Sequence, residues 1–152
     1  GWIAVRGDEV PRREALERLA FIGDTFLSAS TVTQLATPDI LQGASGFQDA
    51  ARLRIRRNLD VAADCADDLP ACDLYPVEGG WSAILRMPRF IDEAQFCRDL
   101  LAREGVIVQP GFFYELQPNG HIVVSLLTAS DTFAEGFERL AAEIDAQPVA
   151  TE

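Results

Sequence analysis

Lysine is ordinarily among the commonest residues, and this chain of 152 residues has none; all thirteen of its basic residues are arginine. Without an ε-amine the chain can form no internal Schiff base and supply no lysine general base. It also has no lysine for a Walker A loop. Histidine is nearly as scarce, with His121 alone. Cysteine appears three times, as Cys65, Cys72 and Cys97, with no C-x-x-C spacing. One histidine and three scattered cysteines do not make a close-spaced metal site. The three thiols read as reduced side chains in or near a core, and a Cys–His nucleophile pair would need a coincidence of folding. No G-x-S-x-G or G-x-G-x-x-G motif occurs; Ser45 and Ser82 each lack the second glycine.

Long apolar runs are missing too. Nothing approaches the roughly 20 residues of a membrane helix, and no basic segment leads into an apolar stretch at the start. A cytoplasmic location is the expectation. Positive charge is in deficit: the net charge is −11 and the pI about 4.4. Such a polyanion repels phosphate backbones and anionic lipid, which disfavours nucleic-acid and membrane partners. Arg52, Arg54, Arg56 and Arg57 are split over two helix faces and read as solvated residues paired with local acids, or else as an oligomer contact. The neighbouring carboxylates Asp67-Asp68 and Asp92-Glu93 read as helix-end charges rather than an acid/base pair.

What is present is a globular composition, 48% hydrophobic and 24% charged, at a length that predicts one domain burying roughly 70% of its unfolded surface. Residues Trp2–Val5 suggest a strand or the tail of one. After a turn at Gly7–Pro11, Pro11 suits a first helical turn. Leu16, Leu19, Ala20 and Ile22 then mark an amphipathic helix from Arg12 to about Leu27. Ser28–Thr31 breaks it. Thr33 to about Gln42 predicts a short helix with a break or start at Pro38. Gly43–Gly46 predicts a loop. Phe47 to Asp67 predicts a long helix with a stripe of Phe47, Ala50, Ala51, Ile55, Leu59 and Ala62, closed by Pro70.

The pattern then alternates. Trp81–Met87 predicts a strand between Gly79-Gly80 and Pro88. Asp92 suits the N-cap of a helix running to Arg103, and Gly105 suits its C′ position. Val106–Val108 predicts a buried strand stopped by Pro110-Gly111. Pro118-Asn119-Gly120 predicts a turn, with His121–Leu127 as a β-branched strand and His121 a satisfied strand-edge residue. Ser130 is expected to cap a final helix whose Phe133, Phe137, Leu140, Ala141 and Ile144 face the core; the tail from Gln147 onward, residues 147–152, is expected to fray. The fold class is therefore α/β, an α+β sandwich. N-terminal helices precede a small mixed sheet packed by helices, in the order β-β-α-β-β-α.

Two loops stand out. Gly79-Gly80-Trp81 lets backbone approach a ligand closely. Gln109-Pro110-Gly111-Phe112-Phe113-Tyr114 sets a rigid turn before three aromatics that cannot all face one core, so at least one is expected to line a pocket or an interface.

In that order, GGWSAILRMP, FCRDLLAREGVIVQPGFFYE and GHIVVSLLTASDTFAEGFERLAAEI resemble the C-terminal small domain of class I/II aminotransferases, fold type I enzymes dependent on pyridoxal 5′-phosphate. GWIAV resembles the strand after the cofactor lysine. FLSASTVTQLAT resembles the segment crossing toward a dimer partner, and RLRIRRNLD the long inter-domain helix. The resemblance spans residues 1–146, with that helix at about 44–67. It implies a domain that is not catalytic alone but closes over the substrate. Gly79, Gly80, Trp81, Pro110, Gly111 and Phe112 would form the pocket wall, and Ser30, Thr31 and Gln34 would approach the partner subunit's site. It also implies amino acid and 2-oxo acid substrates, a homo-oligomer, and a cofactor gripped by a lysine this chain lacks. Val123 stands where the family often carries a substrate-carboxylate arginine. Two other readings remain open: an aminotransferase-like effector domain of a transcriptional regulator, and an unrelated α/β dimerisation module.

Overall fold

The computed structural model describes residues 3–69, 71–88 and 91–147. The chain divides into two compact units, Gly1–Ser45 and Gly46–Glu152.

The first unit is two helices, α1 (Glu9–Thr25) and α2 (Thr31–Gly43). Pro11 sits in the first turn of α1, as expected. Ser30 caps α2, its hydroxyl oxygen accepting the Thr33 N–H at 3.3 Å. No residue of either helix is buried, so the apolar spacing of α1 and α2 has no core within this unit. Ile3–Val5 forms no strand, correcting that expectation, and Trp2 lies outside the described residues. Pro38 causes no break either. It lies inside α2, where it withholds the N–H that would reach the Gln34 carbonyl; one residue earlier, the Thr37 hydroxyl donates to the Thr33 carbonyl at 2.7 Å. The predicted loop at Gly43–Gly46 shrinks to Ala44, whose backbone stays right-handed helical at φ −81°, ψ −8°.

The second unit contains α3 (Ser45–Asp67), β1 (Asp73–Leu74), β2 (Ser82–Arg86), α4 (Glu93–Glu104), β3 (Gln109–Pro110), β4 (His121–Ser125) and α5 (Ser130–Asp145). After the helices the order is β-β-α-β-β-α, as predicted, and the class is α+β. The sheet runs β1-β2-β4-β3. Each pairing is antiparallel, where a mixed sheet was the expectation. A two-residue β3 laid beside β4 by the turn through Gly111 can only run opposite to it.

Asp92 caps α4, accepting the Gln95 N–H at 2.7 Å, and Gly105 ends it in the left-handed region at φ +67°. Val106–Val108 carries no ladder; pairing begins at Gln109. Ile107 points to solvent, so this stretch is not the buried strand expected. Ser130 opens α5 but does not cap it: the N-cap is Ala129, without a side-chain bond. Gln147 lies past the end of α5, and the rest of the tail is outside the described residues.

One core fills the space between the sheet and its helices. Leu85 and Met87 meet Ile122 and Leu126 from the strands and the segments continuing them, with Leu100 from α4 and Leu140 from α5, all fully buried. Ala62 and Ala66 bring α3 close. The upper half of the predicted α3 stripe stays outside: Phe47 and Ala50 are exposed. Because Ala83, Leu85, Ile122 and Val124 face this core, strand alternation puts Ser82, Ile84, Arg86, His121, Val123 and Ser125 on the opposite face.

Candidate functional site

The two predicted wall loops flank opposite ends of β4. Trp81 precedes the Ser82↔Ser125 pair, and its carbonyl accepts the Leu126 N–H at 2.8 Å. Gly111 follows the Pro110↔Ile122 pair and lies against His121. Four residues of β4 separate these levels, about 13 Å along the strand. The structure thus spans the two loops with one strand rather than joining them in one patch. Val123, 7% exposed, lies between them, paired with Ile84 and Gln109 on the face away from the core.

The glycines differ in what they permit. Gly80 adopts φ +77°, a left-handed conformation that disfavours a side chain, while Gly79 has open space where a Cβ would point. At Gly111 a Cβ would meet the His121 Cβ at 2.6 Å and the His121 carbonyl oxygen at 3.0 Å. The chain then makes a 3-10 turn at Gly111–Tyr114. It leaves Phe112, Phe113 and Tyr114 49%, 65% and 51% exposed. Phe112 and Phe113 stack edge to face at 4.8 Å between centroids. The expected partition of three aromatics resolves with all three outside the core.

Beneath this turn lies a polar cluster. His121 is buried, and its Nδ1 lies 2.8 Å from the Pro118 carbonyl oxygen. A carbonyl only accepts, so Nδ1 carries the proton; in the neutral ring Nε2 then accepts from the Tyr75 hydroxyl at 3.1 Å. His121 is satisfied, as expected, but on an inner strand rather than at an edge. Beside it on the same face, Arg86 pairs with Asp73. Sequence reasoning missed the centre of the cluster. Glu93, read as a helix-end charge, is 2% exposed and takes three backbone N–H groups, from Phe112, Gly120 and His121. Asn58 was likewise unforeseen. It is fully buried on α3, and its amide donates to the carbonyls of Leu126 and Thr128 at 2.9 and 2.8 Å. The only signal in the sequence was a polar residue interrupting the apolar stripe of a long helix.

The remaining candidates are locally engaged. Ser30 is the α2 cap, Thr31 opens that helix, and the Gln34 amide donates to the Ala29 carbonyl at 2.7 Å. Arg52 pairs with Asp49 on its own helix, as a solvated face predicts, and Arg54 donates to the Leu127 carbonyl. The cysteines are free and half-buried. Burial pushes all three thiols above the ordinary range, Cys97 to about 11 with the nearby Glu93 carboxylate adding to the effect. None is a poised nucleophile. Among the described residues there is no metal-binding cluster and no helix long and apolar enough to cross a membrane. A cavity of about 340 Å³ between α5, the segment after α4 and the end of β4 is lined by Val106, Val108, Val124 and Phe133 among others, and by none of the predicted site residues.

Comparisons with known proteins add the frame. Nothing among curated proteins matches the chain. Among solved structures, an aminotransferase from Mycobacterium tuberculosis superposes with a TM-score of 0.75 at 20% identity, over 91% of this chain and 36% of that one. An aspartate aminotransferase from Rhizobium meliloti gives 0.67 at 23% identity, over 88% and 36%. An alpha-aminoadipate aminotransferase from Thermus thermophilus, solved with N-(5′-phosphopyridoxyl)-L-leucine, gives 0.66 at 21%, over 87% and 36%. The chain therefore spans little more than a third of these proteins, and at such identities the likeness shows the fold. The family model for aminotransferase class I and II matches residues 1–137, and the chain belongs to that family.

Proposed function

We infer that this chain is the small-domain portion of a pyridoxal-phosphate-dependent aminotransferase, which moves an amino group between an amino acid and a 2-oxo acid. The observation that carries this reading is the family match over residues 1–137 on a chain with no lysine. When bound in such an enzyme, the cofactor supplies the electron sink for the chemistry. The residues here do not fit as its holder. No amine is available to grip it, and His121, the sole histidine, has both ring nitrogens committed to Pro118 and Tyr75. No step of the reaction is routed through this chain's side chains.

What the chain contributes is shape. Gly79, Gly80 and Trp81 at one end of β4, and Pro110, Gly111 and Phe112 at the other, wall the substrate pocket and exclude water from it. Exposure of Trp81 and of the aromatic turn supports this, since neither contributes to the core. α3 is the inter-domain helix. Ser30, Thr31 and Gln34 approach the partner subunit's site in a cytoplasmic homodimer. At the centre of the face, Val123 offers no cation, so the substrate carboxylate is held elsewhere.

Reconstitution tests the reading. The chain mixed with pyridoxal phosphate and amino acid/2-oxo acid pairs gives no transamination, whereas the same chain within a lysine-bearing full-length polypeptide gives it. Turnover by the 152-residue chain alone overturns the proposal.

A further inference from the structure

Glu93 opens α4 and is 2% exposed. A carboxylate is seldom buried so deeply unless its oxygens are engaged. Here Oε1 accepts the Phe112 N–H at 2.7 Å, and Oε2 accepts the N–H groups of Gly120 at 2.9 Å and His121 at 2.7 Å. Bonds to an ionised acceptor are roughly twice as strong as neutral ones, and a carboxylate in a helix's first turn is favoured by the helix dipole. The Asn119 side chain completes the brace. Its Oδ1 accepts the Glu93 N–H at 3.3 Å, and its Nδ2 donates to the Ile91 carbonyl at 3.0 Å. One carboxylate thus ties both ends of the excursion from β3 to β4, Phe112 on the way out and Gly120-His121 on the way back.

The rings on that excursion are half exposed or more. Fixing the turn therefore does little for burial, and what it does is set where Phe112 points. We propose that Glu93 is a positioning residue for the substrate pocket: it holds the Gly111–Tyr114 turn so that Phe112 presents a fixed wall. This rests on the reading above that Phe112 lines that pocket.

The test is a double-mutant cycle in the full-length aminotransferase, with kcat normalised to bound cofactor. Glu93→Gln keeps the shape but aims an NH2 group at backbone donors. It raises KM for the amino donor about ten-fold and changes kcat less than about three-fold, the pattern of lost uniform binding. Phe112→Ala raises KM similarly. Added to Phe112→Ala, Glu93→Gln raises KM less than about two-fold, because the wall it positions is already gone. If Glu93→Gln does not accumulate, Glu93→Asp, which draws the oxygens back by one methylene, is read by the same split. A Glu93 variant that lowers kcat or stability with KM unchanged, while Phe112→Ala still raises KM, shows a merely structural carboxylate and overturns the inference alone. Phe112→Ala with unchanged KM overturns the pocket-wall reading beneath it. Full additivity of the two substitutions shows that Glu93 does not act through Phe112 and also overturns the inference.

Discussion

Gly111 and His121 leave no room between them for a methyl group: the Cβ that alanine would add at 111 falls 2.6 Å from the His121 Cβ. His121 cannot yield, because its ring is held at both nitrogens and its N–H by Glu93. Gly111→Ala is expected to cost about 1–3 kcal/mol, as overpacking does. Gly79→Ala, with open space around its Cβ, is expected to stay within about 0.5 kcal/mol. Denaturant unfolding of the two variants checks the contrast, and equal midpoints would show that the turn moves freely off β4.

Asn58 latches the end of β4 to α3 through two donated hydrogen bonds. Asn58→Ala strands both carbonyls and is expected to cost about 1–3 kcal/mol. Asn58→Asp should be worse, since a carboxylate offers no donors to Leu126 and Thr128. Unfolding midpoints in urea give the order wild type, alanine, aspartate; an aspartate variant as stable as wild type contradicts the latch.

Much of this was legible beforehand, and the reasons for the rest are physical. Asp92 and Gly105 announced α4 because cap chemistry is local, fixed by one side chain or one permitted φ. Phe133, Phe137, Leu140 and Ile144 announced the buried face of α5 by spacing alone. Glu93 and Asn58 were hidden because their partners are backbone groups 19 to 28 and 68 to 70 residues away, and no local pattern records such distances. Pro38 misled because a missing N–H and ring crowding usually interrupt a helix, yet α2 runs through it.

Cys97 gives a pH signature. Burial first, then the Glu93 carboxylate, raise its thiol from 9.0 to about 11. The thiolate is thus easier to form in the unfolded chain than in the folded one. Its contribution is fully present below pH 9 and is lost as pH rises toward 11, so stability declines across that window. Iodoacetamide at about pH 8, below the thiol's range in either state, should label Cys97 far more slowly in the folded protein than in urea, read by peptide mass spectrometry. Equal rates in the two states contradict the burial.

Phe21, Phe26, Leu27, Val32 and Leu35 are all strongly exposed, and neither α1 nor α2 buries a residue. Apolar surface on that scale is seldom left to water, so the isolated chain is expected to self-associate. Light scattering should give a mass above 16.6 kDa, and Phe26→Ser with Leu35→Ser should shift it downward. A strictly monomeric wild-type chain would contradict the expectation.

The sheet has its own consequence for assembly. Its outer strands, β1 and β3, are only two residues long, and Pro110 in β3 has no N–H to offer a neighbour. So short a border gives an incoming peptide almost no ladder to extend. Growth by strand addition, the usual route from a small sheet to a fibril, is blocked on both flanks. Any self-association of this chain is then expected through side-chain surfaces rather than through shared backbone ladders.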